Sequence, residues 1–144
     1  LSVTLTQQQT SGTGNTIQFT LDITNNTGAD IDLSKLELDY FFTKDKDAEL
    51  CFWCDHSALT SGGYTALTDS VKGAFSAASG KNADAKCAVT FGAGTLSAGG
   101  SLTLQARITR ADWTDFDLGN DYSAGNAERI LIKNGAKTIF GKKP

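Results

Sequence analysis

Ile17-Gln18-Phe19-Thr20-Leu21-Asp22-Ile23-Thr24 alternates an apolar residue with a polar one through eight positions. Successive side chains of an extended strand point to opposite faces, so this stretch has one dry face and one wet face. The same period of two recurs at Val3-Leu5, at Leu36, Leu38, Tyr40 and Phe42, at Val89-Phe91, and at Leu102, Leu104, Ala106 and Ile108. Turn-forming clusters separate these runs: Ser11 to Asn15, Asn25 to Gly28, Ser61-Gly62-Gly63 and Ala98-Gly99-Gly100. Arg129 to Lys133 and Lys137 to Phe140 flank Asn134-Gly135, a strong hairpin signal. No long window carries a 3.6-residue period. Many short antiparallel strands at this spacing predict an all-β sandwich.

The 144 residues are expected to form one domain, large enough to bury a core without disulfides. A net charge of -3 and a sequence pI near 5.0 give no attraction to nucleic acid or to anionic membranes. No segment is long and apolar enough to span a bilayer. The chain opens directly on a strand pattern, without a basic leader. The expected setting is a monomeric module within a longer secreted, extracellular bacterial protein.

Three cysteines stand at Cys51, Cys54 and Cys87. The Cys-Phe-Trp-Cys spacing has no second pair to complete a zinc site. Residues three apart on a strand face opposite ways, so at most one of Cys51 and Cys54 can share a face with core-directed Cys87. Cys51, which shares parity with Trp53, is the expected disulfide partner of Cys87; three unpaired thiols are the alternative.

Two further features concern function. Thr109 to Ser123 sets Trp113 among charged and hydroxyl residues and crowds oxygen donors at Asp115, Asp117, Asn120 and Asp121. A tryptophan in polar surroundings is a candidate contact residue. Crowded carboxylates repel one another unless a hard cation lies among them. With Leu102 to Ile108 directed inward, Thr103, Gln105 and Arg107 point outward in a straight row. Such a row beside a loop aromatic suits a hydroxyl-rich ligand with an apolar face, such as a sugar polymer.

Phe52-Trp53-Cys54-Asp55-His56, Ile31 to Leu36, Gly92 to Gly100 and Asp112-Trp113 through Asn120-Asp121-Tyr122-Ser123 resemble the family 3 carbohydrate-binding modules nearly end to end and in order. Modules of that family are nine-stranded jelly-roll sandwiches of cellulosomal scaffoldins and bacterial cellulases. They bind crystalline cellulose on one flat sheet face and carry a structural calcium ion. The resemblance implies a cellulose-binding strip of Asp55, His56, Tyr64, Arg107 and Trp113. It implies polar anchors at Gln9, Ser11, Asn15 and Gln105, and calcium ligands at Thr43, Asp45, Asp117, Asn120 and Asp121. Ala124 to Glu128 looks shortened where a further serine anchor of the family would fall. Tyr40, Phe42 and Tyr122 are read as packing residues.

The implied function is non-catalytic binding of crystalline cellulose, targeting a scaffoldin or cellulase to plant cell wall. The alternative is a structural or protein-interaction spacer of the same fold with weak or no cellulose binding. Glycoside hydrolysis needs two carboxylates in distinct protonation states. Here the clustered acids are assigned to calcium and Asp55 to an ion pair with Arg107, which suits a general acid poorly.

Overall fold

A computed structural model describes Leu1–Pro144. Fourteen strands follow in chain order: β1 (Ser2–Thr6), β2 (Thr13–Gly14), β3 (Thr16–Thr24), β4 (Ile31–Asp32), β5 (Leu36–Phe42), β6 (Leu50–Leu59), β7 (Thr65–Ala66), β8 (Val71–Ala77), β9 (Ala85–Phe91), β10 (Thr95–Leu96), β11 (Ser101–Arg110), β12 (Phe116–Asp117), β13 (Leu131–Asn134) and β14 (Lys137–Phe140). Two five-stranded antiparallel sheets, ordered β1-β3-β11-β6-β7 and β14-β13-β5-β9-β8, form the sandwich. β10 pairs with β4 and β12 with β2 as short ribbons. Helix is limited to three single 3-10 turns, one of which takes up Arg129, so the final hairpin begins at Leu131.

The alternation read from sequence is the alternation of burial. Ile17, Phe19, Leu21 and Ile23 of β3 and Leu102, Leu104, Ala106 and Ile108 of β11 meet Leu36, Leu38, Tyr40 and Phe42 of β5 in one core. Phe19 and Tyr40 stack across it with ring centres 4.6 Å apart. Tyr40 and Phe42 are buried, and Tyr122 packs edge-on against Phe41, as expected of packing residues.

Gly73 of β8 lies where the ring of Phe52 from the facing sheet crosses the core. A Cβ there would come within 2.3 Å of the ring. Overpacking a dense core costs about 1–3 kcal/mol. Gly73→Ala is therefore expected to lower the melting temperature by roughly 5 °C, read by calorimetry.

The expected Cys51–Cys87 disulfide does not form, and all three thiols are free. In the first half of β6, Leu50, Phe52 and Cys54 pack against the core, which places Cys51 on the outer face with Trp53. Cys87 is buried between the sheets, so the two sulfurs lie on opposite sides of β6. Parity with a tryptophan was a poor guide because that tryptophan itself faces outward. Burial pushes the Cys87 thiol up to about 12 and the Cys54 thiol up to about 11, the latter aided by the charge of Asp55. Both are therefore unreactive thiols at neutral pH.

On the outer face of the second sheet, Asp39 is 1% exposed. Lys86 and Lys133 lie 3.4 and 3.5 Å from its carboxylate, and Lys133 also pairs with Glu37 at 2.6 Å. Burial, then the neighbouring Glu37, push Asp39 up to about 6 from 3.8, despite the two lysines. A carboxyl with a raised folded-state pKa contributes stability that is complete below its unfolded pKa and is lost as pH rises through the folded value. The Asp39 contribution to stability is thus expected to decline between about pH 4 and 6, while the lowered pKa of its partner Glu37 acts in the opposite direction. Asp39→Asn, which cannot ionise, is expected to flatten that decline by about 1 kcal/mol in a pH series of melting curves.

Candidate functional site

β11 and β6 are neighbours in the first sheet, with Arg107 opposite Trp53 and Gln105 opposite His56. The register shifts between Gln105 and Ala106, which leaves Asp55 as an extra, unpaired residue of β6. This bulge breaks the period of two, and the consecutive residues Asp55 and His56 both reach the outer face. A regular strand would have turned one of them into the core.

Two groups of contacts lie along this face. Arg107 grips Asp55 through two hydrogen bonds, Nε to Oδ2 at 2.7 Å and Nη2 to Oδ1 at 2.8 Å. The pairing fixes the guanidinium plane and raises the Arg107 pKa further. His56 stacks with Tyr64 at 6.1 Å between ring centres and 15° between planes. At the other end, Trp113 stacks with Trp53 at 5.9 Å and 29°. The Arg107 guanidinium lies 5.6 Å from the Trp53 ring centre. Tyr64, Trp113 and Trp53 are the exposed large apolar side chains of the molecule, at 66%, 46% and 39%. Trp113, Arg107 and Asp55 are linked through Trp53, which the sequence reading did not assign to the strip, and His56 and Tyr64 form a second stack that begins at the next residue of β6.

The loop carrying Trp113 is built to hold it out. Trp113 adopts φ of 59°, a left-handed conformation unusual for a bulky residue. Its N–H bonds to the Arg110 carbonyl at 3.1 Å, and the Asp112 carboxylate accepts from the Thr114 N–H and hydroxyl at 3.2 and 2.7 Å. Beneath the loop, Arg110 is 2% exposed. Its guanidinium donates to the carbonyls of Asp115 and Lys44 and lies 4.4 Å from the Phe116 ring centre. Arg110 was also missed, although the signal was present. It shares parity with Ile108 and so places a charge at a core-facing position.

Of the expected anchors, Gln9 and Asn15 line one polar depression together with Arg107 and Gln18. Gln9 donates to the carbonyls of Ser11 and Thr13 at 2.9 and 3.1 Å, which shapes the turn on which exposed Ser11 sits. Gln105 is exposed beside His56.

The expected calcium ligands converge from two distant segments. Thr43 Oγ1 lies 2.6 Å from Asn120 Oδ1, 3.0 Å from Asp45 Oδ1, 3.4 Å from the Asn120 carbonyl and 3.4 Å from Asp121 Oδ1. One hydroxyl proton cannot satisfy four acceptors. Asp121 is buried, and that burial, with the charges of Asp45 and Asp117, pushes its carboxyl up to about 7. Hydrogen bonds from the Thr43 N–H and hydroxyl act in the opposite direction. Asp121 Oδ1 also accepts from the Thr43 N–H at 3.0 Å and Asp45 Oδ1 from the Asn120 amide at 2.7 Å, and Thr43, Asp45, Asn120 and Asp121 are the residues that could hold a hard cation. Asp117 differs. Its carboxylate accepts from the Gly119 N–H at 2.9 Å, and its own N–H bonds to Asp45 at 2.8 Å.

The family model for the cellulose binding domain matches residues 2–142. The chain belongs to this family. Its modules bind carbohydrate and are not catalytic. Cellulosomal-scaffolding protein B of Acetivibrio thermocellus is 38% identical over 155 residues, covering 100% of this chain and 20% of that protein. Cellulosomal-scaffolding protein A of the same organism is 35% identical, covering 100% of the chain and 8% of that protein. This cellulose-binding domain thus spans a small part of the scaffolding proteins it matches. Among solved structures, a family IIIa cellulose-binding domain from Clostridium cellulolyticum superposes with a TM-score of 0.89 at 35% identity, covering 99% of this chain and 97% of the other. A family 3a module from a Clostridium thermocellum scaffolding protein gives 0.90 at 33% identity, covering 96% and 98%.

Proposed function

We propose that this domain binds crystalline cellulose along the line Trp113, Arg107, Asp55, His56 and Tyr64, and so anchors a larger extracellular scaffoldin or cellulase to plant cell wall. The observation that carries the reading is the set of two ring stacks, Trp113 on Trp53 and His56 on Tyr64, with a bidentate ion pair between them on a single sheet face. A pyranose ring offers C–H groups on its face and hydroxyls on its rim. Indole, imidazole and phenol rings take the first, while the guanidinium and carboxylate take the second. Gln9, Ser11, Asn15 and Gln105 serve glucan chains alongside. Each stacked sugar contributes at most about 1–3 kcal/mol, by analogy with base stacking. Affinity then comes from several weak contacts made at once on a repeating ligand. Side chains already held by one another lose little freedom on binding.

A calcium ion among Thr43, Asp45, Asn120 and Asp121 belongs to the same proposal. When bound, it would neutralise the acids and tie the loop after β5 to the loop after β12.

Depletion of the protein from solution by microcrystalline cellulose tests the function, with soluble glucan as competitor. Saturable adsorption is expected. Absence of adsorption by the folded, calcium-loaded protein would favour a spacer or protein-interaction module instead.

A further inference from the structure

Trp53 is absent from the strip that the resemblance implies, and the hydrophobic core does not account for it. It is 39% exposed and stands outside the buried cluster, on the outer face of β6. Three contacts fix it. Its indole Nε1 donates to Thr109 Oγ1 at 2.9 Å, and Thr109 is itself buried. Its ring stacks with Trp113. The same ring carries the Arg107 guanidinium. No hydrogen bond, stack or guanidinium contact joins Trp113 directly to Arg107.

We infer that Trp53 is a positioning residue of the binding face, the shared platform that sets the Trp113 indole and the Arg107 guanidinium at one level for the ligand. This deepens the cellulose-binding proposal and rests on it. The physical need is specific. Trp113 sits on a backbone conformation that bulky residues avoid, at the tip of a loop, with half its surface in water. Strain of this kind persists only where surrounding contacts over-determine it. Trp53 supplies such a contact from a rigid strand, oriented by a hydrogen bond to a buried hydroxyl that would otherwise lack a partner. On the other side, Asp55 holds the Arg107 guanidinium in its plane, while the Trp53 ring sets its height. Ring stacking and cation–π attraction are each modest, but both act on groups that must be ordered before cellulose arrives.

Trp53→Leu removes the platform while keeping an apolar side chain. Its association constant for microcrystalline cellulose is expected to fall about tenfold with the number of binding sites unchanged, while the unpaired Thr109 hydroxyl lowers the melting temperature by a few degrees without unfolding the protein. Trp53→Phe keeps a ring without the Thr109 bond and should recover most of the loss. Because the platform acts through its two partners, adding Trp53→Leu to Arg107→Ala plus Trp113→Ala should cost nothing further. A second readout needs no cellulose. The chain has two tryptophans, both in this stack, so their exciton-coupled signal in far-ultraviolet circular dichroism should vanish in Trp53→Leu and in Trp113→Ala alike. Unchanged affinity of Trp53→Leu, or a loss of equal size in the doubly substituted background, overturns the inference. If the wild-type protein does not adsorb at all, the functional proposal fails, and dichroism alone decides the platform. Loss of the coupled signal in both variants then supports it, and survival in either one overturns it.

Discussion

Substituting alanine for both Arg107 and Trp113 is expected to reduce the association constant for crystalline cellulose by about 100-fold or more, with the fold intact. The two residues belong to one connected line, so their removal does more than delete two contacts. Without Trp113 one end of the row is gone. Without Arg107 the Asp55 carboxylate loses both of its hydrogen bonds and is free to turn away from His56. A stacked sugar accounts for at most about 1–3 kcal/mol, and a charge-assisted hydrogen bond adds about 1.5–3 kcal/mol. A loss near 3 kcal/mol corresponds to roughly 100-fold. Stability should hardly change. Arg107 and Asp55 are both partly exposed, at 32% and 42% of their side chains, and such pairs contribute at most about 1 kcal/mol. Trp113 lies outside the core. Depletion isotherms paired with melting curves separate the two effects. Adsorption at wild-type strength by a folded double variant would remove the binding line from consideration and leave the spacer reading.

Removing calcium is expected to lower the melting temperature by roughly 5–10 °C. A ligand present at a hundredfold excess over its dissociation constant stabilises the folded state by about 2.7 kcal/mol. Each kcal/mol moves the midpoint by about 2–4 °C for a chain of this size. The structural reason is the oxygen cluster around Thr43, which brings Asp45 and buried Asp121 onto one hydroxyl, beside single donors from the Thr43 and Asp117 N–H groups and the Asn120 amide. Arg110 is the nearest cation, yet its Nη2 stays 4.0 Å from Asp45 Oδ2 and its donors are given to the Asp115 and Lys44 carbonyls. Calorimetry with and without a calcium-selective chelator makes the measurement. Asp121→Asn should lose most of the response, since it removes the buried charge that the ion offsets. A wild-type midpoint indifferent to both chelator and added calcium would end the calcium proposal. Because Arg110 ties the Trp113 loop to Lys44, beside the ion's segment, chelation should also weaken cellulose adsorption, though less than the double substitution does.

Much of the fold was legible because its cause is local. A strand turns alternate side chains to opposite faces, and the core of this sandwich needs apolar residues on one of them. Ile17 to Ile23, Leu36 to Phe42 and Leu102 to Ile108 therefore announced strand, face and core together, and they exposed Gln105 and Arg107 without reference to any relative. Trp113 among polar residues was readable for the same reason. β6 was less legible, because the extra residue at Asp55 interrupts its alternation.

What the chain could not state locally was settled across strands. Whether Asp55 and His56 share a face depends on how β6 pairs with β11, and one unpaired residue decides it. The disulfide expectation failed on the same strand, because parity with Trp53 there means the outer face. Trp53 gained its place only when β11 brought Arg107 and the following loop brought Trp113 to it. The oxygens of Thr43 and Asp45 meet those of Asn120 and Asp121 across more than seventy residues of chain. Period and polarity act between neighbours in sequence and fix which way a side chain faces. Register, bulges and loop closure act between segments far apart and fix which side chains it meets.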